Sequence, residues 1–340
     1  MQQPAWLRSS LEPALAPDMA IVDPHHHFWD DGPFADMFGR ILPEDLVATI
    51  DSCGQNVVAT VFVECQWSYR ADGPEHLRCV GETEQVEAVA RKFGAARTAG
   101  TALAAGIVGH ADLSLGAAVD EVLEAHLAAS PTRFRGIRDH VTADPDEPFA
   151  GDARKGVMAD PQFRAGVARL RQFGLSFDTW CVHTQLADYL ALAQAFPDTV
   201  FVLNHLATPV RIGRFQSRQA EAFESWKAGI SALAGCENVF LKLGGLGMPV
   251  AGFHFADLPA PPDSEAIAAI YAPYVRHAVD ALSPARCMFE SNFSVDGLAY
   301  GYGNLWNAYK RIAACYSAEE QRALFHGTAA RAYRLNLQAD

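Results

Sequence analysis

Two imidazoles one residue apart, at the end of an apolar run, are the first residues in this chain that could do chemistry. The segment reads Val22-Asp23-Pro24-His25-His26-His27-Phe28. In an extended strand residues i and i+2 share a face, so His25 and His27 point together and His26 points away. Two converging imidazoles can grip a divalent cation, or hold a carbonyl oxygen by hydrogen bonds. A histidine cluster packed between strand and helix is the plainer reading, and the His-Xaa-His spacing at a strand end argues against it. His205 ends a second apolar run, Val202-Leu203-Asn204-His205, and His183 follows a third, Trp180-Cys181-Val182.

The acid and amide groups stand late in the chain, in Met288-Phe289-Glu290-Ser291-Asn292-Phe293. Glu290 and Asn292 share strand parity. An amide has no basic site, so Asn292 can hydrogen-bond a substrate or coordinate weakly but cannot take a proton from water. Glu290 is either the working carboxylate or a buried charge paired with Lys242. Asp296, four residues beyond Asn292, either supplies a carboxylate or caps a turn. Arg135 and Arg138, in Phe134-Arg135-Gly136-Ile137-Arg138, carry guanidinium forks that suit a substrate carboxylate, or a structural salt bridge to Asp139. His140 is a weaker candidate beside them. Glu64 either orients one of the histidines or forms a buried ion pair. Trp67 and Tyr69 could wall a ring-bearing substrate, though rim aromatics are as often packing. Trp180 reads as core.

These residues must be positioned by elements that alternate. Strands are expected at Ile21–Phe28, Val57–Cys65, Ala102–His110, Phe134–Val141, Leu175–Val182, Thr199–Leu206, Val239–Leu246 and Cys287–Phe293, separated by amphipathic stretches such as Glu82–Phe93 and Ser264–Leu282. Strict alternation implies a parallel sheet, and eight units is the closure number of the (β/α)8 TIM barrel. The fold class is therefore α/β: an N-terminal arm over residues 1–19, then one barrel domain over 20–340 with helices at its C-terminal end. No Gly-rich dinucleotide fingerprint follows the first strand, which disfavours an open doubly wound sheet. The Gly/Pro-rich stretch Gly244–Pro262 falls on the catalytic face, as a lid or an insertion.

Composition excludes several classes. A net charge of −13 repels phosphate backbones, so nucleic acid is not an expected partner. Seven cysteines, none in a CxxC pair, fit a reduced cytoplasmic protein with buried thiols. No apolar run reaches the ~18 residues of a membrane span. Phosphate-binding loops and the Gly-Xaa-Ser-Xaa-Gly nucleophile elbow are absent. The expected partner is a small-molecule substrate; oligomeric state is open, since the Met1–Met19 arm could clasp a second copy.

The first-strand histidines with Phe28-Trp29-Asp30, the Arg135–Arg138 segment, Asn204-His205-Leu206 and Glu290-Ser291-Asn292 together resemble the amidohydrolase superfamily, in its sugar-lactonase and pyrone-dicarboxylate-lactonase branch. The resemblance spans nearly the whole chain. It implies an amidohydrolase-like barrel with its site at the C-terminal strand ends, and hydrolysis of a lactone, ester or amide of a carboxylate-bearing substrate. The alternative is a metal-dependent decarboxylase or hydratase. It further implies metal ligation by His25, His27 and His205, a substrate role for His183, Arg135 and Arg138, and one divalent ion, Zn2+ or Mn2+, or else a histidine cluster working without metal. Asn292 stands where the family's strand-eight Asp, ligand and base, is found. Glu290 or Asp296 is left to supply the missing carboxylate.

Overall fold

The computed structural model describes residues 11–96, 100–144 and 154–337. Eight strands form one parallel sheet in chain order: β1 (Ile21–His26), β2 (Val57–Val63), β3 (Ala102–His110), β4 (Phe134–Arg138), β5 (Ser176–Thr179), β6 (Phe201–Leu203), β7 (Val239–Leu243) and β8 (Cys287–Phe289). Between them run α1 (Gly32–Phe38), α2 (Pro43–Ser52), α3 (Val80–Ala96), α4 (Asp120–Ala129), α5 (Pro161–Leu170), α6 (Leu186–Ala195), α7 (Gln219–Ala232) and α8 (Ser264–Leu282). After β8 follow α9 (Tyr302–Ala313), α10 (Ala318–Arg322) and α11 (Thr328–Ala332). This is the TIM barrel that the alternation implies.

The third strand has the expected bounds, and the other seven expected strands overrun the observed ones at their C-terminal ends. The apolar pattern continues past the last ladder bond because those residues turn inward to build the site. The clearest case is β6, where His205, Leu206 and Ala207 have φ of 57°, 55° and 47° and leave the strand in a left-handed turn. Such residues cost of order 1–3 kcal/mol each and persist only where their surroundings hold them. Here Trp226 Nε1 donates to Leu206 O at 2.5 Å, and Glu290 Oε1 accepts from His205 N at 2.9 Å.

The seam between β1 and β8 is fastened by side chains. Asp23 accepts Ser291 N at 3.0 Å, Ser291 Oγ at 2.6 Å and Tyr302 OH at 3.0 Å, and His27 N donates to Phe293 O at 3.1 Å. At the other end Val22, Val61, Val108, Val202 and Met288 form an apolar cluster with Tyr333, just after α11. The Tyr333 ring lies 5.2 Å from Lys242 Nζ, and its hydroxyl donates to Asp178 Oδ2 at 2.5 Å. Described residues of the arm lie on the chain's own helices: Glu12 accepts from Ser264 N and Oγ at 2.6 Å each, and Lys310 Nζ donates to Leu15 O at 2.6 Å. Residues 1–10 lie outside the described residues. No described helix is long and apolar enough to cross a membrane.

Candidate active site

The alternation in β1 turns His26 outward to Thr60 Oγ1, at 2.8 Å. His25 and His27 turn inward, their Nε2 atoms 3.1 Å apart. His27 Nδ1 donates to Val63 O at 2.8 Å, so its Nε2 carries the lone pair. The left-handed turn after β6 brings the His205 ring to 4.5 Å from that of His25. Glu290, just beyond β8, reaches both: Oε1 lies 2.8 Å from His205 Nδ1 and Oε2 lies 2.8 Å from His25 Nδ1. A carboxylate can only accept, so His205 Nδ1 is the donor and its Nε2 carries the lone pair. Burial, with the nearby cations, holds His25 and His27 well below the ordinary imidazole range. Burial also lowers His205, against the opposing pull of Glu290.

Two cations stand beside this group. Lys242 Nζ lies 3.2 Å from His25 Nδ1, 2.9 Å from Pro24 O and 3.3 Å from Asp178 Oδ2. Arg138 gives Nε to Glu64 Oε1 at 2.7 Å and Nη2 to Glu64 O, leaving Nη1 facing His25 Nε2 at 3.4 Å. Burial works to raise the Glu64 carboxyl, but the Arg138 guanidinium and His140 overcome it and hold Glu64 well below the usual range. Glu64 is thus the buried ion pair with Arg138, joined by His140, rather than a hydrogen-bond partner of His25 or His27. Arg138, already gripped on two of its nitrogens, has no free fork for a substrate carboxylate.

A cavity of about 240 Å3 opens above these groups, with His27, His205, Arg138 and Asn292 on its floor. Its walls are Trp29, Phe34 and Phe38 on one side, Trp180 on another, and Met248, Pro249 and Val295 on a third. Trp180 therefore lines the site instead of filling the core. Phe34 and Phe38 come from α1, which the strand-and-helix pattern passes over; Pro33 in the first turn and aromatics at i and i+4 are the signal that could have found it. Met248 and Pro249 belong to the Gly/Pro-rich stretch after β7, which makes wall.

Six further expectations are corrected. Arg135 donates to Phe134 O and Thr132 O and, with Leu103 and Asn336, lines a recess where β3 and β4 begin, at the opposite end of the barrel from the cavity. Trp67 packs edge-on to Phe28 and gives its indole N–H to Asp30 at 3.1 Å; Tyr69 packs on the core, and neither lines the cavity. His183 sits four residues past the end of β5, where the chain has turned away. Its Nδ1 accepts Val210 N at 3.1 Å and its ring meets Phe215. Asp296 is buried behind Asn292, accepting its Nδ2 at 2.9 Å and Tyr300 OH at 2.5 Å, with burial raising it to about 7. The expected metal set also changes: the ligand atoms within 4.8 Å of one another belong to His25, His205 and Glu290. His27 meets His25 at the other ring nitrogen, and the longer Glu290 side chain takes its place.

The matched family model carries the description "Amidohydrolase" and spans residues 22–335. The chain belongs to the amidohydrolase family. It is 33% identical over 335 residues to an uncharacterised protein of Sinorhizobium fredii, covering 94% of this chain and 99% of the other. It is 27% identical over 320 residues to an L-fucono-1,5-lactonase of Burkholderia ambifaria, covering 93% and 96%. A crystal structure of an amidohydrolase from Burkholderia multivorans with bound zinc matches with a TM-score of 0.71 and 26% identity, over 93% of this chain and 99% of that one. As an amidohydrolase this chain is a hydrolytic enzyme. Its Glu290 Oε2, though 2.8 Å from His25 Nδ1, is a buried oxygen without a hydrogen bond, and two imidazoles with one carboxylate are a donor set that suits a divalent ion.

Proposed function

We propose that this amidohydrolase opens a small lactone by attack of water on the ring carbonyl. The reading is carried by the His205–Glu290 pair. Glu290 fixes His205 with Nδ1–H turned inward, so the lone pair on Nε2 is presented at the floor of the cavity. Burial favours the neutral imidazole, the form a general base needs at neutral pH. The carbonyl oxygen is received by Arg138 Nη1, the one guanidinium nitrogen not bound to Glu64. His205 Nε2 takes a proton from water as the new C–O bond forms, and Glu290 stabilises the imidazolium. When the ring C–O bond breaks, the same proton passes to the departing alkoxide, releasing a hydroxy acid. The L-fucono-1,5-lactonase relatives support this reading.

His25, His205 and Glu290 would hold one divalent ion, Zn2+ or Mn2+, which when bound would polarise the carbonyl and lower the pKa of water. Lys242, beside His25, already places a positive charge there, so ion and ammonium oppose each other. Full activity with no stoichiometric metal after chelation would retire the ion. Loss restored by Zn2+ or Mn2+ would keep it.

His205→Ala is expected to lower kcat about 10²–10⁴-fold on any lactone the wild type opens. Glu290→Gln should follow it, since the amide can present its own N–H and disfavour the working tautomer. Wild-type turnover in either variant, or carbon dioxide release from an aromatic acid in place of lactone opening, would end the proposal.

A further inference from the structure

The walls of this cavity are unusually poor in polar atoms that are free to bind anything. Trp29 gives its indole N–H to Gly39 O at 2.6 Å, and Trp180 gives its own to Thr208 Oγ1 at 2.9 Å. Both rings therefore offer only carbon to the cavity. Trp29 stacks with Phe34 at 5.6 Å and with His27 at 5.8 Å, tilted by 28° and 26°, so a row of aromatic rings leads away from the floor. Several of the polar side chains at the cavity already have partners, with Gln66 and the Asn292 carbonyl oxygen left open. Thr142 Oγ1 donates to Trp180 O at 2.8 Å, His140 Nε2 lies 3.1 Å from Glu64, and Arg154 lies 2.7 Å from Asp139. Both guanidinium groups, Arg138 and Arg154, face a carboxylate partner at 2.7 Å.

We propose that the lactone taken by this site is neutral and carries an aromatic or alkyl substituent, which lies along the Trp29–Phe34 face while the ring carbonyl reaches the floor. The inference rests on the lactonase reading and narrows it. A sugar lactone carries hydroxyl groups around its ring, and those set against indole or phenyl carbon would lose water, with Gln66 and Asn292 Oδ1 too few among the described residues to replace it for all of them. A carboxylated lactone would have to share guanidinium groups already paired with carboxylates, Arg138 with Glu64 and Arg154 with Asp139. This departs from the carboxylate that the Arg135–Arg138 pattern suggests.

The full-length enzyme tests this with lactones of three kinds: dihydrocoumarin and δ-nonalactone, D-glucono-1,5-lactone and L-fucono-1,5-lactone, and 2-pyrone-4,6-dicarboxylate. The expected kcat/KM is at least about tenfold higher for the first kind, the discrimination that burial of a ring or chain can supply. Equal or better turnover of the sugar or carboxylated lactones overturns the inference while leaving the lactonase reading intact. Turnover of none of the five overturns the lactonase reading itself. Phe34 is partly exposed, so Phe34→Ala should fold, and it should raise KM for dihydrocoumarin about tenfold or more, the loss falling on KM rather than kcat. An unchanged KM places the substituent elsewhere and defeats the proposal.

Discussion

Asn292 donates Nδ2 to Asp296 Oδ1 at 2.9 Å, and the direction of that bond is set by the neighbours. Asp296 Oδ2 accepts from Tyr300 OH at 2.5 Å and Gly247 N at 3.1 Å, so its other oxygen needs a donor. The amide is turned to supply one, and its carbonyl oxygen is left without a partner at the cavity floor. The φ of 50° at Asn292 is one that Asn tolerates better than most residues. Asn292→Asp would set two carboxyl groups face to face, able to share one proton but not to ionise together. The expected result is a kcat/KM that falls about tenfold or more between pH 6 and 8 relative to wild type. In Asn292→Asp with Asp296→Asn the amide–carboxylate bond returns with its polarity reversed, and most activity should return. If the single and double variants share one pH profile, the pair is not coupled. Strand parity made His25, His27 and Glu290 legible in the sequence, whereas His205 was legible only as a histidine closing an apolar run, its direction being set by the left-handed turn after β6. The sequence could not place His183 or Trp67, because their directions depend on where a ladder stops and a turn begins; Arg135 lies inside β4, near the end of the barrel away from the cavity.

The elements after the strands decide whether those side chains meet. Gly245, following β7, has φ of 75°, and a Cβ there would lie 2.4 Å from His205 Cβ and 2.8 Å from His205 Nδ1. The glycine makes room for the imidazole that the left-handed turn after β6 swings inward. Gly245→Ala should misplace that ring and lower kcat/KM about 10²-fold, the scale expected of a misplacement near 1 Å. Gly73→Ala is the control. Its φ is 90° and a Cβ there meets nothing within 4 Å, so it bears backbone strain alone and should cost about 1 kcal/mol of stability with activity kept. Equal loss of activity in both variants would trace the effect to strain rather than to the ring. At this scale the sequence revealed eight alternating units and their order, because periodicity reports which face is buried. It did not reveal α1, too short to show a period, nor that Gly245 makes room for His205 while Met248 and Pro249 form wall.

Across the whole molecule, burial of so many ionisable groups ties stability to pH with opposite signs on either side of neutrality. His25, His26, His27, His126, His183 and His205 are all held neutral below the ordinary imidazole value of 6.5, His26 to about 3 and His126 and His183 to about 4, burial being the largest cause each time. Between those values and pH 6.5 an unfolded chain binds protons that the folded chain refuses, so stability rises with pH. Asp23, Asp296 and Glu82 oppose this, since burial raises them to about 6, about 7 and about 8. Below pH 6.5 seven lowered imidazoles among the described residues, His140 included, outweigh four raised carboxyls, Asp139 included. Above it the histidines are neutral in both states; the raised carboxyls remain linked, and Lys310, which burial lowers to about 8, opposes them only from about pH 8 upward. The folded chain then keeps protons that an unfolded chain gave up near pH 4, and that stability is lost as pH climbs through 7 and 8. The melting temperature should therefore peak between about pH 6 and 7 and decline toward pH 9. Self-repulsion from the net charge of −13 adds to the decline, but salt screens it, whereas the buried part persists. Glu82 separates the two contributions. Its Oε1 accepts Cys65 N at 2.9 Å and Trp67 N at 2.8 Å, which a glutamine oxygen can also do. Glu82→Gln should thus keep the fold, flatten the alkaline limb in 0.5 M salt, and melt above wild type at pH 8.5. A wild-type curve that is level or rising from pH 7 to 9, or a variant curve parallel to it, would show that these protons are not held.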